Sequence, residues 1–353
     1  MAVKFTKPEI NVREKLSELD KPSGIAGEAM LRAETPQEQF NLIGAGRRNL
    51  IINGDMRVWQ RGTSIAEGSA GNGFSADRWA KNGSTGVVSR STDVPSGNGF
   101  SYSMKQAPSG GGNFILLQPV ELPATGSAGL FEVGTTFTFS FWVKGNASDS
   151  ITLSYDFRDV GISGTNYVPA TTGTTVNYTS SWTRVVHTFT ITGTPAGTNK
   201  SFNPILYAST TSGEELYITG IQLELGKVAT PFEHRSYGEE LALCQRYFTV
   251  MPNGIFGIAN NTTSVTYSYH LPTQMRATPS VSLTSTNQRQ GDTVAEGIFL
   301  TSATVSSNQY SNSTVAVFAI SGTPTPANFT AYRMYLYESV ASHPAQVHLS
   351  AEL

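Results

Sequence analysis

The chain has 353 residues, 39% of them hydrophobic and only 14% charged, with 34 Gly and 17 Pro. A formal net charge of −2 excludes the basic field that binding a phosphate backbone requires, so no nucleic-acid partner is expected. One cysteine, Cys244, rules out an intrachain disulfide framework, and no apolar run approaches the roughly 20 residues that cross a bilayer as a helix, so membrane insertion is not expected.

Charged residues crowd into positions 1–50, which hold 15 of the 50 in the chain. The polar start MAVKFTKPEINVREK lacks the apolar stretch of a signal peptide, which implies synthesis and folding in a cytoplasm. Pro8, Glu9, Val12, Leu16 and Leu19 predict a short amphipathic helix stopped by Pro22, and a second weak helical stretch runs from Glu28 to Phe40. Helices this short are marginal in water. Ile10, Val12, Leu16, Leu19, Met30, Leu31 and Phe40 are nevertheless too apolar for a solvated tail, so residues 1–48 read as a docking arm.

From Asn49 the pattern changes to period-two alternation, the mark of strands with one buried face. TFTFSFWV at 136–143 sets Phe137, Phe139 and Phe141 against Thr138, Ser140 and Trp142, and ITLSYDF at 151–157 sets Ile151, Leu153, Tyr155 and Phe157 against Thr152, Ser154 and Asp156. More strands are predicted near 100–106, 113–121, 182–192, 202–208 and 215–224, separated by Gly, Pro, Asn and Ser clusters. Such spacing predicts a jelly-roll β-sandwich over 49–235. A capped linking helix follows at 236–248, with Ser236 and Glu239 as its capping box. Residues 249–353 return to strands and are long enough for a second, smaller β-sandwich. The whole is mainly β with an extended, partly helical amino-terminal arm.

The phrases NLIINGDMRVWQRGTS at 49–64, ADRW at 76–79, FTFSFWVKG at 137–145, ITGIQLELGKVATPFEHRSYGEELALCQRYF at 218–248 and MRATPSV at 275–281 together resemble a family of phage virion proteins. These are tail-fibre-like proteins with a jelly roll akin to carbohydrate-binding modules. The resemblance implies a non-enzymatic structural protein of the virion, fixed to other tail or capsid proteins by its arm, adhering to host surface polysaccharide and assembled as a homotrimer. A capsid decoration protein without a receptor role is the alternative, and a glycan-processing enzyme with an appended binding module is a weaker one. The resemblance also raises a structural calcium ion. Asp55, however, is followed by Met56 and Arg57 where an acidic ligand would stand, so no metal and no cofactor is predicted.

Catalysis needs convergent groups, and the candidates do not supply them. His187, His234, His270, His343 and His348 have no paired spacing, Cys244 sits in the helical stripe as a small hydrophobe, and Asp156 with Asp159, a carboxylate pair in a strand and its following turn, reads as solvated loop residues. Sugar binding asks only for an exposed aromatic face and a polar surround. Trp142 with Thr138, Ser140, Thr152, Ser154 and Asp156 meets that need if strands 136–143 and 151–157 are hairpin neighbours joined through GNASDS. The competing reading covers Trp142 with a loop, the arm or a neighbouring subunit. Trp59 and Trp79 are expected to pack beneath the first strand.

Overall fold

A computed structural model describes residues 48–352 except 68–72, 84–85, 123–128, 159–172, 194–200, 293–296, 308–309, 326–327 and 339–345. The expected docking arm and its residues Ile10, Val12, Leu16, Leu19, Met30, Leu31 and Phe40 lie outside the described residues. In chain order the first half contributes β1 (Ser64–Glu67), β2 (Gly73–Phe74), β3 (Ala80–Gly83), β4 (Gly86–Ser91), β5 (Ser103–Pro108), β6 (Gly112–Leu117), β7 (Val120–Glu121), β8 (Thr136–Gly145), β9 (Asp149–Arg158), β10 (Thr174–Tyr178), β11 (Thr183–Thr190), β12 (Ser201–Thr210) and β13 (Leu216–Leu225). They form two antiparallel sheets, one ordered β1-β4-β5-β13-β8-β11 and the other β10-β9-β12-β6-β3-β2 with β7 beside β12. Phe137, Phe139 and Phe141 of the first sheet share a single core with Leu153, Tyr155, Phe157 and Phe202 of the second. This is a jelly-roll sandwich of the kind that the alternation predicts.

The expected hairpin between β8 and β9 is not formed. β8 pairs with β11 and β13, whereas β9 pairs with β10 and β12 in the opposite sheet. The three-residue link is an arch across the core, and local bonds explain why. Asn146 bonds to Glu215 in both directions, at 3.1 and 2.8 Å, and its Nδ2 donates to Gly213 O at 2.8 Å, so it is tied to the turn before β13. A Cβ on Gly145 would meet the Tyr178 ring at 2.6 Å, so the corner needs glycine. The arch lets both strands turn their aromatic faces into the same core, an arrangement that buries more apolar surface than a flat hairpin with one wet side.

Helix α1 (Tyr237–Gln245) starts where the capping motif places it, with the Ser236 hydroxyl accepting from Glu239 N at 3.2 Å. Cys244, Tyr247 and Phe248 are buried, and burial pushes the Cys244 thiol well up. Beyond it come β14 (Phe248–Val250), β15 (Phe256–Ala259), β16 (Ser264–His270), β17 (Ser280–Leu283), β18 (Gln288–Asp292), β19 (Ile298–Ser307), β20 (Val315–Thr325), β21 (Met334–Glu338) and β22 (Val347–Ser350). Here the sheets close further than the sequence anticipates. β15-β16-β20-β19-β18-β21 form a barrel around Tyr267, Phe318 and Tyr337, and β14-β22-β17 form a three-stranded sheet sharing that core. A register shift between Thr301 and Thr304, with Ser302 at φ 54°, bends β19 along β20, and closure leaves the barrel without free edges.

Candidate functional site

Three of the phrases that carry the family resemblance, at 49–64, 76–79 and 218–248, meet in one buried polar knot. Asn53, at φ 56°, donates through Nδ2 to Val58 O and Asp77 O at 2.9 and 3.0 Å, and its own N–H reaches Glu240 Oε1 at 2.5 Å. Trp79 Nε1 donates to Asn53 O at 2.9 Å and Trp59 Nε1 to Met56 O at 2.7 Å, so both indoles are structural, as expected of residues beneath the first strand. Arg235 donates to Ile51 O and Asn49 O, and Glu233 accepts from the N–H groups of Arg48 and Asn49 at 2.9 and 2.7 Å. Asp55 is ion-paired with Arg57, and burial pushes its carboxyl up. Arg78, at φ 71°, pairs with Glu352 and lies over the Tyr247 ring at 3.5 Å, joining the sandwich to the chain's last described residue. Among the described residues no three His, Cys, Asp or Glu side chains converge as metal ligands.

The predicted sugar-binding set is divided by the fold. Thr138, Ser140 and Trp142 stand on the outer face of the first sheet, and Thr152, Ser154 and Asp156 belong to the second. Asp156 is 1% exposed, held by Arg158 at 2.8 Å and by Asn203 Nδ2 at 2.9 Å. Thr138 is buried beneath the segment after β13, its hydroxyl donating to Gly226 O at 2.8 Å, and Ser140 lies under the same strap. That strap is pinned by Gln222, whose Oε1 accepts from Glu233 N at 2.8 Å, and by Glu224, which accepts from Thr230 N at 3.1 Å. Covering by a loop therefore applies to Thr138 and Ser140, while Trp142 stays half-buried and shares a cavity with Phe232 and His234 of the same strap.

Trp142 walls a cavity of about 410 Å³ together with Phe100, Arg184, Phe232 and His234, a volume within the range of about 300–1,000 Å³ usual for small-ligand sites. Phe100, Phe232 and His234 form a cluster with ring centroids 4.9–5.2 Å apart. His234 Nε2 bonds to Asn98 O at 2.9 Å, which fixes the ring against the loop before β5. The floor is Gly220, at φ 62° in the bulge where β13 slips against β8 between Thr219 and Gln222. A Cβ there would lie 2.5 Å from Phe100 and 3.0 Å from Trp142, so the cavity exists because this position is glycine. On the far side of Trp142 the face continues through Lys144 to Tyr217 and Trp182, with Trp182 Nε1 donating to Asp93 at 2.9 Å. An aromatic wall with a few oriented polar groups can stack a sugar ring and bond its hydroxyls.

Phe100, Arg184, Gly220, Phe232 and His234 were not singled out from sequence as sugar-binding. The signal for the bulge is present as the lone glycine inside the strand phrase ITGIQLEL. The pairing of Arg184 with Trp142 has no local signal, because the whole of β9 and β10 intervenes. His187 faces inward beside Phe139 and Phe189 at a cavity of about 30 Å³ that Ser154 also lines, and burial lowers its pKa, in keeping with a core or edge histidine.

The two sheets define a jelly roll like that of carbohydrate-binding modules. Residues 74–204 match the family model of a carbohydrate binding domain. Among solved structures the chain is similar to the enzymatically active domain of tailspike protein 4 from bacteriophage CBA120, at 17% identity and a TM-score of 0.35, covering 50% of this chain and 21% of that one. It is also similar to TmCBM61 in complex with β-1,4-galactotriose, at 17% identity, TM-score 0.33 and coverage of 51% and 100%. The amino-terminal cellulose-binding domain of Cellulomonas fimi β-1,4-glucanase C gives 15% identity, TM-score 0.29 and coverage of 48% and 97%. Among curated proteins no sequence matches the chain.

Proposed function

We propose that this chain is a non-enzymatic surface protein of a phage virion, a tail or head fibre, that adheres to host surface glycans through the Trp142 cavity. The observation that carries the glycan reading is the match of residues 74–204 to a carbohydrate binding domain, and the aromatic cavity gives that reading a place on the fold. The virion reading rests on the resemblance of the phrases at 49–64, 76–79 and 218–248 to phage structural proteins. In it, residues 1–48 dock on other virion proteins, and three copies assemble side by side.

Binding of the full chain to polysaccharides is measured by affinity electrophoresis, beside Trp142→Ala. The expected result is that the wild type is retarded by at least one polysaccharide and that the variant, folded by circular dichroism, is not. Equal retardation of both proteins moves the site away from Trp142. Removal of residues 1–48 is expected to abolish incorporation into particles while leaving a cooperatively melting β-protein.

A further inference from the structure

We infer that the Trp142 cavity selects an acidic polysaccharide, one bearing uronate carboxylates, and that Arg184 reads the charge. The inference rests on the glycan-binding reading above and adds its chemical class. β11 pairs with β8 so that Arg184 stands directly opposite Trp142, and the guanidinium and the indole line the same cavity. Arg184 Nη2 donates to Thr230 O at 2.5 Å and lies 3.5 Å from Ser140 Oγ. Both acceptors are neutral, so they orient the guanidinium without balancing its charge.

Several other arginines of this protein are paired with carboxylates, though Arg276, like Arg184, donates to backbone carbonyls. Arg57 holds Asp55, Arg158 holds Asp156, Arg235 lies 3.4 Å from Glu240, and Arg246 lies 3.0 Å from Glu121. Among the described residues no carboxylate stands within 4.0 Å of Arg184. Glu224 accepts from the N–H and hydroxyl of Thr230, Glu233 from Arg48 and Asn49, and Asp93 from Lys144 and Trp182. No acidic side chain lines the cavity, and its one permanently charged group is cationic.

A neutral pyranose stacked on Trp142 would leave that cation facing only hydroxyls. A uronate instead brings a planar carboxylate that a guanidinium can take with two parallel N–H···O bonds, stronger than neutral hydrogen bonds and specific in direction. The indole supplies affinity for the ring, and Arg184 decides which ring.

The test uses the full chain in affinity gels at low salt containing polygalacturonate, its fully methyl-esterified form, or neutral β-1,4-galactan. Esterification keeps the sugar backbone and removes the charge. The wild type is expected to bind polygalacturonate at least about tenfold more tightly than the ester, and added salt should erode that margin. Arg184→Gln, which still offers a donor to Thr230 O, should lose the margin, binding the acid no more tightly than it binds the ester. Arg184→Lys should keep only part of it, because an ammonium lacks the planar fork. Equal wild-type binding to the acid and the ester, or an Arg184→Gln variant that keeps the margin, overturns the acidic class alone. No binding to any of the three polymers, with the fold intact, overturns the glycan reading as well.

Discussion

On the outer face of the first sheet Trp142 stands half-buried at the wall of a 410 Å³ cavity, whereas on the outer face of the second sheet Asp156 is shut into an ion pair with Arg158 and bonded to Asn203. Both side chains come from strands of the same alternating texture, and both occupy the face turned away from the shared aromatic core. The difference lies in what crosses each face. On the first, a strap after β13 covers Thr138 and Ser140 but leaves a cavity between Trp142 and its own Phe232 and His234. On the second, Asp156 is closed in by Arg158 and Asn203, and Leu117 and Ile205 form a separate buried apolar cluster with Ala80. Alternation decides which side chains leave the core; it does not decide which of them meet solvent.

Substitutions can break this contrast, and the largest effect is expected on the closed face. Asp156→Ala removes the buried carboxylate that Arg158 and Asn203 both bond and should cost about 3 kcal/mol in urea denaturation, the lower end of the range for breaking a buried pair, since Arg158 retains some access to water. Polysaccharide binding per folded molecule should not change. If binding falls in step with stability, the second face takes part in recognition.

An intermediate effect is expected at the floor of the cavity. Gly220→Ala places a side chain at φ 62° and drives its Cβ into Phe100 and Trp142, so a loss of about 2 kcal/mol should come with weakened binding. Calorimetry beside affinity electrophoresis reads both at once, and unchanged binding would show that the rings accommodate the methyl without altering the site.

The smallest effect is expected under the strap. Thr138→Val keeps the shape and removes the hydroxyl that bonds Gly226 O, which should cost about 1 kcal/mol by chemical denaturation. Binding should hold. A larger loss of binding than of stability would mean that the strap itself positions Phe232 and His234.

The sandwich was legible in the sequence because its strands alternate cleanly: the spans predicted at 136–143, 151–157, 182–192, 202–208 and 215–224 correspond to β8, β9, β11, β12 and β13. The α1 start was legible from Ser236, whose cap is a local interaction. Which strands become neighbours was not, because a three-residue link can close a hairpin within one sheet or an arch between two, and the choice falls to Asn146, Gly145 and the distant Tyr178 ring. The polar surround of the site failed for that reason. Trp142 does lie on the outer face where the alternation puts it, since its orientation depends on β8 and not on the sheet in which β9 lies.

The knot has a mechanical meaning as well. The chain enters the sandwich at Arg48 and Asn49 and leaves it through Glu233 and Arg235 toward α1, and those two points are bonded directly to each other. Leu50 N–H adds a bond to Leu223 O at 3.0 Å, and Asn53 reaches Glu240 inside the helix. A pull applied between residue 48 and the helix is therefore carried across this clamp, along a short path that bypasses both sheets. The jelly roll lies beside that line of tension as a closed loop, and Glu233 in the clamp stands between Phe232 and His234, so the same bonds that carry the load hold one wall of the cavity in place.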